Sequence, residues 1–191
     1  LDRDPTVRIR ANEMKNMYGE RFEFRAGQFG VFTDLVPEKI NGAVFDIGVS
    51  SMQLDDAERG FSFNKTAMLD MRMSQSGESA KDIVNTYDEQ ELADLIYQYG
   101  EEKKSRQIAK KIVEYRQKKT IETTTELAEI IYTVIHKKNG EINPATRTFQ
   151  ALRIAVNDEL GELERGLSGA AKRLQKDGRV VVVDFHSLED R

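Results

Sequence analysis

Two short apolar runs that each close on an aspartate constrain the fold of this 191-residue chain more than any other feature. Gly42–Gly48, GAVFDIG, and the β-branched run Val180–Val183 ahead of Asp184 have the length and residue types of buried strands. The later strand needs a neighbour, and Gly42–Asp46 is the expected one.

The segments around them fit the same scheme. Asp4 and Pro5 are a helix cap and a first helical residue. Val7, Ala11, Met14 and Tyr18 recur at helical spacing, and Gly19 supplies a stop. Phe22 and Phe24 alternate with polar residues as a short strand would, and a mixed segment with Phe29 and Phe32 follows. Helix, strand, helix, strand is the rhythm of a doubly wound α/β sheet. From Val49 to Met73 regular periodicity stops, and an irregular stretch of that length is usually functional.

The chain then turns helical. Asp88 with Glu91 forms a capping-box pattern before Leu92, Leu95, Ile96 and Tyr99. Ile108, Ala109, Ile112 and Val113 mark a second helix. Leu127, Ile130, Ile131, Val134 and Ile135 mark a third, capped by Thr123–Thr125. Asn143 and Pro144 open a long helix with the stripe Phe149, Leu152, Val156, Leu160, Leu163 and Leu167, ending near Asp177–Gly178. The expected organisation is an α/β domain over residues 1–74 and 143–191, with a helical insertion over 75–142.

Composition narrows the function. Hydrophobic residues at 39% and charged residues at 32% permit a core. The absence of cysteine removes disulfides, thiolate metal sites and cysteine nucleophiles. No apolar run approaches the roughly 20 residues that cross a bilayer, so a cytoplasmic protein without membrane contact is the expectation. A net charge of −4 leaves room for a local basic face. Leu1 in place of methionine points to a fragment.

Open parallel sheets bind ligands beyond the carboxyl ends of their strands. Asp2, Asp46 and Asp184 occupy such positions. Asp2 fits an acidic residue that grips a ribose through both hydroxyls, or it belongs to the cap; both readings stay open. Asp46 precedes Gly48, where a ligand can approach the backbone, or it caps a loop. Phe61 and Phe63, with Arg59 and Arg72 nearby, have the chemistry to stack and orient an unpaired base, or they pack beneath the loop with Met68, Met71 and Met73. Lys103, Lys104, Arg106, Lys110, Lys111, Arg116, Lys118 and Lys119 form either a solvated helix face or an RNA-facing patch. His136 reads as a solvated cap beside Lys137 and Lys138, whereas His186 follows the last strand where a site residue would stand. Two distant histidines do not make a metal centre.

DRDP at Asp2–Pro5, FDIGVSSMQLDDAERGFSF at Phe45–Phe63, LDMRM at Leu69–Met73, YGEEKKSRQIAKKI at Tyr99–Ile112, NPATRTFQALRIAVNDEL at Asn143–Leu160 and FHSLEDR at Phe185–Arg191 resemble the MraW/RsmH family. The resemblance implies a class I S-adenosylmethionine-dependent methyltransferase sheet, Rossmann-like, with an inserted all-helical domain. It implies methylation of the exocyclic amine of a cytidine in the decoding region of small-subunit (16S) ribosomal RNA. The cofactor is then S-adenosyl-L-methionine, and the partner is that RNA or the small ribosomal subunit.

By position, Asp2 would bind the cofactor ribose and Phe29 would lie near the adenine, with Asp46 and Gln53 completing the set. Asp46, or a carbonyl near Gly48–Ser51, is the expected acceptor for the amine hydrogens. RNA contacts are expected from Arg59, Phe61, Phe63, Arg72, Lys103, Lys104 and Arg106. The family usually has proline at Met52, glycine-proline at Ala67 and Met68, and serine at Asp184. Its first strand and glycine-rich loop would precede Leu1, so this chain alone is expected to bind the cofactor poorly. A binding factor without activity and a nucleotide-dependent oxidoreductase are the alternative functions.

Overall fold

The computed structural model describes residues 1–136, 142–184 and 188. His186, Lys137, Lys138 and most of the FHSLEDR block lie outside them. The chain divides into two compact units, Leu1–Gly48 with Met73–Gln75 and Asp158–Arg191, and Val49–Arg72 with Ser76–Asn157. These boundaries differ from the expected ones. The segment 49–72 and the helix after Asn143 fall within the helical unit, because their contacts are made there.

In the first unit, Asp4 accepts a hydrogen bond from the Thr6 amide at 3.0 Å and opens a short 3₁₀ turn at Pro5–Val7. Helix α1 (Arg8–Tyr18) continues it and stops at Gly19, whose φ is 57°. Of the expected stripe on this helix only Ala11 is buried. Phe22 and Phe24 are not in a strand. Arg25 instead ties this extended segment to Glu23 and Glu38, and the pairing nearby is a single parallel bridge between Asp2 and Ala26. A 3₁₀ turn at Phe29–Val31 leads into the one-turn helix α2 (Phe32–Leu35).

Strand β1 (Ile40–Asp46) pairs in parallel with β2 (Leu174–Val183), placing Asp46 opposite Val183. The expected partnership is the observed one. Alternation along β1 turns Ala43, Phe45 and Ile47 inward, where they meet Phe32, Leu163, Leu167 and Ala170. Val44 lies on the other face and is 72% exposed, with Val181 at 50% and Val183 at 41%. The strands are therefore covered on one side, not two.

The expected long helix is two helices. α8 (Ala145–Asn157) ends at Asp158, a non-glycine residue with φ of 48°, and α9 (Glu159–Arg173) follows. Helix α9 stops at Arg173, earlier than the sequence implied, because Leu174 already turns extended into β2. Its buried face is Glu162, Leu163, Gly166, Gly169 and Ala170. A Cβ on Gly166 would lie 2.8 Å from Phe29 and 3.0 Å from Phe45, so the missing side chain lets both rings approach the helix.

The second unit is built from α3 (Ser51–Asp55), α4 (Ala80–Thr86), α5 (Glu89–Gly100), α6 (Ser105–Arg116), α7 (Thr124–Tyr132) and α8. Capping boxes begin α4 at Ser79/Asp82, α5 at Asp88/Glu91 and α7 at Thr123/Glu126, so two donors are satisfied at each start. Leu92, Ile96, Ile108, Ile112, Leu127, Ile131 and Leu152 are completely or almost completely buried and form its core.

The α7 box also couples this unit to pH. Lys119 donates to Glu126, which further accepts from the Glu122 and Thr123 amides, and these bonds hold its carboxyl down to about 2. An unfolded glutamate titrates at about 4.3, so the depressed value stabilises the folded chain above that pH. That contribution is lost as pH falls through the folded value. Urea midpoints should accordingly show Glu126→Gln less stable than the parent at pH 7, with the gap narrowing towards pH 2. An equal gap at both pH values would remove the charge from this account.

Candidate functional site

Asp46 closes β1 on the same face as Val44, and its side chain is exposed. The backbone continues its pairing one step further, with the Ile47 amide donating to the Val183 carbonyl at 3.2 Å. Phe29 packs edge-on against Phe45, the neighbour of Asp46, with ring centroids 5.8 Å apart. The end of β1 therefore carries an exposed carboxylate on one face, and on the other face Phe45 packs against the partly buried ring of Phe29. Asp2 is not simply free of the cap. One of its carboxylate oxygens accepts from the Asp4 amide at 2.8 Å, and its carbonyl accepts from the Gly27 amide at 2.9 Å. The second carboxylate oxygen has no partner among the described residues.

Beneath Phe29 lies a polar cluster that sequence reasoning missed. Glu162 is 5% exposed, and its carboxylate accepts from the Gly30 amide at 2.8 Å and from Arg165 at 2.7 Å. With its amide turned to suit both neighbours, Gln28 donates to Glu162 at 3.2 Å and accepts from Arg3 at 2.9 Å. A buried carboxylate is tolerated only when its lone pairs are satisfied, and here a cation and a backbone amide do so. The consequence is local: Glu162 fixes the turn that presents Phe29. A glutamate among Leu163, Gly166, Gly169 and Ala170 on a buried helix face was the available signal.

In the helical unit, Gln53 is buried and caps α3. Its side-chain oxygen accepts from the Ser50 amide at 2.9 Å, while the Ser50 hydroxyl accepts from the Gln53 amide at 3.3 Å. The irregular stretch after it is firmly tied. Gly60 sits at φ 71°, and a Cβ there would come 2.3 Å from the Met68 carbonyl oxygen. Met71 is fully buried at φ 63°, a conformation costly for its side chain, and its carbonyl accepts from the Asn157 amide at 2.8 Å.

The two arginines of this stretch work inside it. Arg59 donates to the Arg72 carbonyl at 3.1 Å and lies 5.7 Å from the centre of the Phe61 ring. Arg72 forms a fork with Asp70 at 3.1 and 2.6 Å and reaches the Gly77 carbonyl at 3.0 Å. That fork raises the arginine's pKa above its ordinary value. Phe61 is 7% exposed, and Phe63 packs edge-on against Phe149 at 5.2 Å. Arg59, Phe61 and Phe63 thus serve packing here, and Arg72 holds the Asp70 carboxylate and the Gly77 carbonyl. Lys103, Lys104 and Arg106 are exposed where α6 begins.

The profile of the MraW methylase family matches residues 1–191. The chain belongs to this family. It is 58% identical to the ribosomal RNA small subunit methyltransferase H of Rickettsia massiliae (strain Mtu5), over all of the chain and 62% of that relative. The namesakes in Rickettsia africae (strain ESF-5) and Rickettsia felis (strain ATCC VR-1525 / URRWXCal2) are 57% and 56% identical, again over the whole chain, which covers 62% and 63% of them. The chain therefore spans less than two thirds of the length of these relatives.

The Glu162 cluster holds the turn that carries Phe29 against Phe45, the residue before the strand-end aspartate. Among the described residues no group of histidine, aspartate and glutamate side chains could hold a metal ion. No described helix is long and apolar enough to cross a membrane. Replacing Glu162 by alanine would strand the Gly30 amide and leave Arg165 with Asp158 as its remaining acidic partner. We expect a loss of about 2 kcal/mol in urea denaturation, typical of a buried charge-assisted hydrogen bond. A loss near zero would mean that the turn holds itself.

Proposed function

We propose that this chain forms part of an S-adenosyl-L-methionine-dependent methyltransferase for the exocyclic amine of a cytidine in the decoding region of small-subunit (16S) ribosomal RNA. The observation that carries the reading is Asp46, an exposed carboxylate at the carboxyl end of a parallel strand, in a chain whose relatives are named ribosomal RNA small subunit methyltransferase H. The first unit is read as part of a class I methyltransferase sheet. Valines exposed on one face of β1 and β2 support further covering of the sheet in the complete protein. The second unit is read as its inserted helical domain. A cytoplasmic location and the small ribosomal subunit as partner belong to the same reading.

The donor set suits the cofactor. A carboxylate oxygen of Asp2 without a partner among the described residues can accept from ribose hydroxyls, and Phe29 offers an apolar edge to an adenine. Gln53 is part of the proposed set through its place at the start of α3. The bound cofactor supplies an electrophilic methyl group on a sulfonium. The chain's own task is to align the amine and relieve its charge. The transfer would release one amine proton, which Asp46 would accept and pass to solvent.

A cytosine amine is a weak nucleophile because its lone pair is shared with the ring. A carboxylate that accepts from its hydrogens favours a pyramidal nitrogen and offsets the developing positive charge. Asp46, or a backbone carbonyl near Gly48–Ser51, is that acceptor in our reading. The target base must leave its stack, at a cost of a few kcal/mol. Lys103, Lys104 and Arg106 are the proposed RNA contacts, whereas Arg59, Phe61, Phe63 and Arg72 contribute by shaping their loop.

The test uses the full-length protein and small ribosomal subunits, with mass mapping of the methylated nucleotide. We expect one methyl group on a cytidine amine. Asp46→Asn should lower turnover by about a hundredfold or more. Cofactor affinity is measured in parallel, so binding and chemistry are separated. Full turnover by the variant would remove Asp46 from the chemistry, and an unmethylated product from the parent would overturn the function.

A further inference from the structure

A cavity of about 530 Å³ opens on the helical unit between the second half of α5 and the start of α6. Tyr97 lines it with its side chain 60% exposed, and this ring has no aromatic or cationic partner among the described residues. Asp94, one helical turn earlier on the same face, also lines it. One oxygen of Asp94 accepts from Gln90 at 2.8 Å, and the other has no partner among the described residues. Lys103, Lys104 and Arg106 stand along the α6 side.

The basic run of α6 is not uniform. In its later part and just beyond it, Lys111 pairs with Glu114, Lys119 with Glu126, and Arg116 donates to the Val84 carbonyl. In its first part Lys104 reaches only the Val134 carbonyl, at 3.3 Å, while Lys103 and Arg106 make no hydrogen bond or ion pair among the described residues. The side chains of Lys110 and Lys118 also make no hydrogen bond or ion pair among the described residues, but Lys103 and Arg106 are the uncommitted cations that share the cavity with the exposed ring and the carboxylate.

The combination selects its ligand. A bare anion would gain from the cations but would be repelled by Asp94 and would make no use of Tyr97. A purely apolar ligand would leave the charges idle. A nucleotide uses all of them, with its base on the tyrosine ring, an exocyclic amine to the carboxylate and flanking phosphates to the cations.

We infer that this cavity holds one unpaired nucleotide of the RNA substrate, stacked on Tyr97 and gripped through its phosphates by Lys103 and Arg106. This deepens the proposed function and rests on it for the identity of the RNA. The base held here is an anchor, distinct from the base presented to Asp46.

The full-length protein is titrated with a short labelled single-stranded oligoribonucleotide, an abasic counterpart and an RNA duplex, by fluorescence anisotropy across a salt series. Tyr97→Ala should weaken single-strand binding by about tenfold and leave the abasic strand unaffected. Arg106→Gln should weaken both and lower the salt slope by about one. Lys110→Gln removes a charge from the same helix outside the cavity, so its effect on the single strand should be smaller than that of Arg106→Gln.

Parent-like affinity for Tyr97→Ala, abasic binding as tight as the intact strand, or equal losses for Lys110→Gln and Arg106→Gln would each overturn the nucleotide site. Preference for anionic phosphatidylglycerol vesicles over RNA would do the same. Circular dichroism confirms that each surface variant is folded. Methyl transfer is assayed separately. Intact transfer with no effect of Tyr97→Ala on RNA binding sinks this inference alone, while Tyr97-dependent RNA binding without any transfer sinks the proposed reaction alone.

Discussion

Parallel pairing between β1 and β2 is the constraint on which the first unit depends. Parallel strands cannot be joined by a tight hairpin, so the chain must leave the end of one and return to the start of the other. Here the return is made by α9, whose small residues Gly166, Gly169 and Ala170 let Phe29, Phe32 and Phe45 close against it. The same pairing sets Asp46 level with Val183 at the carboxyl ends. The helical unit lies entirely within the connection between the two strands.

Polar groups buried in each unit do related work. Glu162 joins a helix to the turn at Gly30, and Asn157 holds the carbonyl of a strained Met71. Both bonds join residues far apart in sequence, and both fix a backbone turn that side-chain packing alone would leave free to shift. The arginines of the irregular stretch follow the same rule, since Arg59 and Arg72 bond to carbonyls of the loop that contains them or of its neighbour. A segment with no periodicity is thus ordered by hydrogen bonds that replace a regular ladder.

Capping and periodicity made much of the helical unit readable. Asp88 with Glu91 and Thr123 ahead of Leu127 are local signals, and local hydrogen bonds obey them. The two strands were readable for a similar reason, because a run of β-branched and apolar residues has few other uses. The Phe22–Phe24 alternation misled, since a strand exists only where a ladder partner arrives, and Arg25 ties that segment elsewhere. The break at Asp158 was hidden because a left-handed aspartate leaves no gap in an apolar stripe.

For the candidate site the division is similar. By itself the sequence determined the family, the two strand-end aspartates and the basic composition of α6. Tertiary structure alone decided that Arg59 and Phe61 are buried, that Glu162 supports the Phe29 turn, and that Tyr97 stands open beside Lys103 and Arg106, which have no partner among the described residues. The physical reason is that residue type and spacing fix what a side chain can do. Which neighbour claims its charge, hydrogen bonds or ring face depends on contacts between residues distant in the chain.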